Sequence, residues 1–190
     1  FIPIHPGDIL SYGGYHFEVK LLKGHTFGQC GLYEPEKKLM FVGDQLMTTI
    51  VPIVGTQETD LGMLKCYLDS LGDLKHNYKD CYFLPCHYGE IRNVEKEVNR
   101  IILGYLEKCE IMKHVLEEAG TALTTRDIGV RTYGRSQGPP DYAHFASCTY
   151  IWAKTFSCME YMMGEGFVER SERDGIIYWK APSIHFENNR

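Results

Sequence analysis

The chain lacks any apolar run near the roughly 20 residues that cross a bilayer, and its start, Phe1-Ile2-Pro3-Ile4-His5, has neither a basic leader nor a small-residue cleavage pattern. A membrane span and a secretory leader are therefore not expected, and a cytoplasmic location is. No Cys-x-x-Cys pair occurs among the seven cysteines at 30, 66, 81, 86, 109, 148 and 158. That removes a zinc knuckle or dithiol redox motif, and the odd count argues for free, buried thiols rather than a disulfide framework. There is no basic excess: the net charge is -5 and the pI about 5.9, so no global field draws the chain to phosphate backbones or anionic membranes. Internal repeats and low-complexity tracts are also absent. What remains is an ordinary globular composition, 190 residues with 44% hydrophobic and 24% charged, enough for one large or two small cores.

The first half alternates short β-branched or aromatic runs with turn signals. Tyr15 to Leu21 reads as a strand, and Gly31-Leu32-Tyr33, the turn Glu34-Pro35-Glu36-Lys37-Lys38 and Leu39 to Asp44 read as a hairpin delivering Asp44 at a strand's carboxyl end. Leu61, Leu64, Leu68 and Leu71 recur at helical spacing within residues 60–71, a loop is expected around Asn77, and Cys81-Tyr82-Phe83-Leu84 is a buried strand stopped by Pro85. From Asn93 the period turns helical, through Val94, Val98, Ile101, Ile102 and Tyr105 to Gly120, with a domain boundary expected near Gly104. Thr124 or Thr125 can cap a helix over 126–133; residues 136–141 form a loop; 147–164 is a longer apolar helix. Strands at 167–170 and 176–180, joined through Asp174-Gly175, close the chain. Three helices followed by a two-stranded wing is the order of a winged helix.

Three segments carry chemistry: Gly24-His25-Thr26-Phe27-Gly28, Gly43-Asp44-Gln45-Leu46 and Leu84-Pro85-Cys86-His87-Tyr88-Gly89. Imidazole is a good neutral ligand for zinc, and a carboxylate between two dications reduces their repulsion and fixes their separation. Such a pair lowers the pKa of bound water to about 7, so no side chain need attack. Each segment alone has an ordinary reading: His25 a surface-loop residue, Asp44 a strand-end cap, Cys86 a small buried residue. The three together favour metal binding.

In this order and context the segments resemble the second half of a metallo-β-lactamase superfamily hydrolase, in the branch of glyoxalase II-like enzymes and β-lactamase-like proteins with a carboxy-terminal winged helix. The resemblance implies an α/β fold: the second half of an αββα sandwich over residues 1–103, then a small winged-helix domain over 104–190. It implies that His25 binds one metal, His87 the other, and Asp44 bridges both as the catalytic carboxylate, with two zinc ions in the complete protein, iron or manganese being possible alternatives. Gln29 stands where many relatives carry a second histidine. Tyr88 replaces the usual glycine after the last histidine; it is a substrate-binding candidate that narrows the entrance or else packs, and general aromatic burial favours packing.

The family's first-half motif, His-x-His-x-Asp-His, has no counterpart here, since no two of the eight histidines lie two residues apart. With a first residue that is not Met, this leads to the expectation of a fragment whose upstream half supplies the other ligands. The expected function is hydrolysis of small esters or thioesters. Alternatives are a metallo-β-lactamase fold endoribonuclease or a non-catalytic winged-helix adaptor; nucleic-acid binding is disfavoured because Lys154 is the only basic residue within 147–164. Partners would be a small-molecule substrate and either the missing half or a second copy covering an open apolar sheet face. The chain alone should hold at most a weak single-metal site and little activity. Metal analysis of this chain beside a version carrying its natural upstream sequence should show higher zinc content and turnover in the longer protein; equal values in both would end the fragment idea.

Overall fold

The computed structural model of the chain describes residues 1–56, 62–134 and 142–182. The chain divides into two compact units, Phe1–Tyr105 and Leu106–Arg190. The division falls inside one helix rather than in a linker.

Unit 1 is built on a five-stranded sheet of β1 (Ile9–Tyr12), β2 (Tyr15–Leu21), β3 (Cys30–Glu34), β4 (Leu39–Gly43) and β5 (Tyr82–Pro85), in that spatial order. β1 and β2 meet through Gly13-Gly14, both at positive φ, the conformation a two-residue hairpin turn needs. The β3–β4 turn is held by the Glu34 carboxylate, which accepts the Lys37 N–H. β4 and β5 run parallel, so a crossover is required. The helix α1 (Met63–Asn77) lies within that connection. It is longer than the spacing to Leu71 indicated: Leu74 continues the apolar stripe and is fully buried, so the expected loop at Asn77 is the last helical turn. The proposed start at 60–61 lies outside the described residues.

The two sheet faces differ. Tyr33, Met40 and Phe83 pair in one row, and Met40, Val42 and Phe83 are fully buried, with Tyr33 in edge contact with Tyr78 just after α1. On the other face Val19, Leu32, Phe41 and Leu84 pair across four strands. Val19 is fully buried, but Tyr15, Leu21, Phe41 and Tyr82 are exposed, leaving much of that apolar face in solvent.

Helix α2 (Val94–Ala119) begins where Asn93 Oδ1 accepts the Lys96 N–H, with Glu95 and Glu97 in its first turn to complement the helix dipole. Val94, Val98, Ile101, Tyr105, Cys109, Met112 and Leu116 are all buried, a stripe of three- and four-residue steps that serves unit 1 first and unit 2 afterwards.

Unit 2 continues with β6 (Leu123–Thr124), α3 (Thr125–Tyr133), α4 (Tyr142–Gly164), β7 (Glu169–Arg173) and β8 (Ile176–Lys180), and its sheet has the order β6-β8-β7. The expected two-stranded wing is thus three-stranded, because the two-residue β6 pairs with β8 through Leu123 and Trp179. β7 runs to Arg173, not Arg170: the tight Asp174-Gly175 turn, both residues at positive φ, forces Arg173 opposite Ile176. α4 starts ahead of the expected Ser147, and the loop expected at 136–141 lies outside the described residues. Trp179 is the centre of the unit: fully buried, edge-on to Phe156, its indole N–H donated to Thr125 Oγ1.

Thr124 caps α3 in a reciprocal box, its hydroxyl accepting the Asp127 N–H while the Asp127 carboxylate accepts from Thr124. Thr124→Ala removes the hydroxyl that caps the Asp127 N–H while leaving the backbone N–H that Asp127 accepts, and should cost about 1 kcal/mol, seen as a melting temperature lower by about 2 to 4 °C.

Candidate functional site

The three chemistry-bearing segments end at the same rim of unit 1. Asp44 follows β4 directly, and His87 lies two residues beyond β5. Because β4 and β5 are parallel neighbours, their carboxyl ends are adjacent, and the Cys86 N–H donates to Gly43 O at 3.1 Å to hold them together. His25 arrives from the other side, on the loop between β2 and β3. The result is a row of three side chains: His25 Nε2 is 3.6 Å from Asp44 Oδ2, and His87 Nε2 is 3.6 Å from Asp44 Oδ1.

Two donors about 2.0 to 2.2 Å from a shared tetrahedral ion lie roughly 3.3 to 3.6 Å apart, so each imidazole faces its own carboxylate oxygen at a separation suited to one cation. Asp44 Oδ1 supplies a second sign: it is buried and has no hydrogen-bond partner. A buried carboxylate oxygen without a donor is costly unless a cation completes it. Each imidazole–oxygen pair is only two donors, and among the described residues no group of three or more His, Cys, Asp or Glu side chains is gathered to hold a metal ion. The arrangement is one carboxylate with an imidazole facing each of its two oxygens.

The ring of His25 is oriented from behind. Its Nδ1 lies 2.8 Å from Ile53 O, which assigns the proton to Nδ1 and leaves Nε2 as a lone-pair donor toward Asp44. The loop carrying it is fixed by Gln45, which is fully buried: Oε1 accepts the His25 N–H at 3.4 Å, while Nε2 donates to Lys23 O at 3.1 Å and to Ser70 Oγ at 3.0 Å. Gln45's own carbonyl accepts the Tyr67 hydroxyl at 2.8 Å. Burial raises the Tyr67 pKa far above the ordinary phenol range against a lesser lowering by Arg100, so this hydroxyl remains a neutral donor. Gly24 sits at φ +151 with Tyr67 packed where a Cβ would be, at 2.2 Å from Cδ2, so any side chain there would push the His25 loop away.

Other expectations are corrected or sharpened. Gln29 turns its amide to the backbone, donating to Cys30 O and Val42 O and lying against Gly43. Cys86 is exposed rather than buried, since the chain leaves the sheet at Pro85; Cys30 and Cys66 are only half-buried, while Cys81, Cys109 and Cys158 are buried as expected. Tyr88 does not pack: it is 54% exposed. Gln45, which the motif reading passed over, had one available signal: an uncharged polar residue set between Asp44 and the apolar Leu46-Met47 must find partners if the segment turns inward.

No family model matches the sequence. A 40-residue stretch, 21% of this chain and 19% of the relative, is 50% identical to the hydroxyacylglutathione hydrolase GloC of Haemophilus influenzae. The fold resembles a metallo-β-lactamase family protein of Thermus thermophilus with a TM-score of 0.78 at 22% identity, over 95% of this chain and 54% of that one. It resembles a β-lactamase domain protein of Burkholderia ambifaria with a TM-score of 0.80 at 19% identity, over 96% of this chain and 52% of that one. The chain therefore has the mixed α/β fold of these proteins, and it spans about half the length of the solved structures it matches.

Gln45→Leu keeps the volume but leaves Lys23 O and the His25 N–H without their partner. Each such loss costs about 1 to 3 kcal/mol; the melting temperature should fall by at least about 4 °C, with faster amide exchange at His25 and at Gly55, whose N–H bonds Gly24 O.

Proposed function

We propose that this chain contributes His25, Asp44 and His87 to a binuclear zinc centre that hydrolyses small esters or thioesters, the remaining ligands coming from sequence upstream of it. The observation that carries this reading is the pairing of two imidazole Nε2 atoms with opposite oxygens of one carboxylate, one of those oxygens buried and without a hydrogen bond. His25 would hold one ion, His87 the other, and Asp44 both. Bound zinc supplies a Lewis acid for the carbonyl and acidifies water. The protein's own contribution is placement. Ile53 O keeps the His25 ring in the tautomer that presents Nε2, Gln45 keeps that ring's loop in register with the end of β4, and the Cys86–Gly43 hydrogen bond keeps His87 beside Asp44. The thioester class is favoured by the name of the Haemophilus influenzae relative, since a hydroxyacylglutathione is a thioester.

We read unit 2 as a winged helix on its order of helix, strand, two helices and hairpin, and as a structural neighbour rather than a nucleic-acid reader. Lys154 of α4 has its pKa lowered, with burial the largest cause, so it is not a solvated cation aimed at phosphate. No helix among the described residues is long and apolar enough to cross a membrane.

Zinc titration of the protein with its upstream sequence, beside Asp44→Asn, tests the assignment. Loss of the shared carboxylate should weaken zinc binding at least about tenfold and abolish thioester hydrolysis with little change in the melting temperature of the metal-free protein. Full zinc content in Asp44→Asn would sink the proposal. Steep loss of RNA cleavage with salt would favour a nuclease instead.

A further inference from the structure

Two exposed aromatic residues follow the two imidazoles in sequence. Phe27 is two residues beyond His25 and Tyr88 is next to His87; each is 54% exposed, although aromatic rings ordinarily supply buried area. Tyr88 also has φ +68, a left-handed conformation in which a bulky side chain is penalised and a glycine is not. The turn is held in place: Thr48 Oγ1, four residues past Asp44, donates to Tyr88 O at 3.4 Å, and Gly89 follows at φ +81. The Tyr88 ring is 6.1 Å from the His87 ring, centroid to centroid. On the His25 side, Lys23 Nζ stands 4.7 Å from the Phe27 centroid, occupying one face of that ring and placing a positive charge beside it. Tyr88 is thus an exposed ring held in a backbone conformation that its own side chain disfavours.

We propose that Tyr88 and Phe27 form an apolar contact surface for the acyl portion of the substrate, so that the centre selects anionic substrates with an extended apolar or aromatic acyl group over those with a short one. This rests on the hydrolase reading for the word substrate, but its physical content is binding. Sodium 4-phenylbutyrate and sodium butyrate share a carboxylate and differ in the ring, so the ratio of their affinities isolates the apolar contact. Both would be titrated by NMR into the zinc-supplemented protein as wild type, Tyr88→Gly and Phe27→Ala. The wild type should prefer phenylbutyrate by about tenfold, and each variant should reduce that ratio about fivefold, the worth of one aromatic contact. The melting temperature of Tyr88→Gly should be unchanged or higher, because glycine relieves the left-handed strain.

Equal affinity for the two probes in the wild type, or an unchanged ratio in Tyr88→Gly, overturns the proposal. So does a melting temperature lower by more than about 4 °C in Tyr88→Gly, which would make Tyr88 a packing residue. Ester hydrolysis is assayed separately: Tyr88-dependent binding of phenylbutyrate without any hydrolysis would remove the hydrolase reading while leaving the contact surface standing.

Discussion

The buried amide of Gln45 is the constraint on which the rim depends. It lies next to Asp44 in sequence, yet its side chain reaches back to Lys23 and His25 and across to Ser70, so one residue sets the distance between a loop and a strand end that are about 20 positions apart. A buried primary amide must satisfy both its oxygen and its nitrogen, and only a narrow range of loop positions does so. The Tyr67 hydroxyl then ties the same backbone segment to α1, and the Tyr67 ring fills the space that Gly24 leaves vacant. Hydrogen-bond satisfaction, rather than any property of histidine itself, therefore brings His25 to face Asp44.

Much of this was legible in advance because it follows from local rules. The sequence places Asp44 and His87 each just beyond a strand, and the parallel pairing of β4 and β5, which the structure supplies, makes them neighbours. The Asp174-Gly175 turn is equally visible, and the cap of α3 is narrowed to Thr124 or Thr125, of which the structure uses Thr124. What escaped depends on distant partners. β6 is two residues long and exists only because Trp179 is opposite Leu123; Cys86 and Tyr88 were assigned to the interior from average tendencies, which do not register that the chain has already left the sheet at Pro85. Gln45 looked like filler between a carboxylate and an apolar pair.

The sheet of unit 1 treats its two faces unequally. One face is fully buried at Met40, Val42 and Phe83; the other keeps Phe41, Leu21 and Tyr15 in solvent although Leu32 and Leu84 in the same rows are apolar. An exposed apolar face of this kind is what a second layer would cover. At its rim each facing pair offers one imidazole and one carboxylate oxygen, two donors where a zinc ion takes about four.

Helix α2 carries a further consequence. Its stripe from Val94 to Tyr105 belongs to one core and that from Cys109 to Leu116 to the other, with no break in the backbone ladder between them. Helix formation is cooperative along its length, so fraying that begins in either core propagates into the anchoring turns of its neighbour. A helix-breaking substitution at the division would therefore disturb the anchoring turns of both cores at once, a shared liability that a flexible linker would not impose.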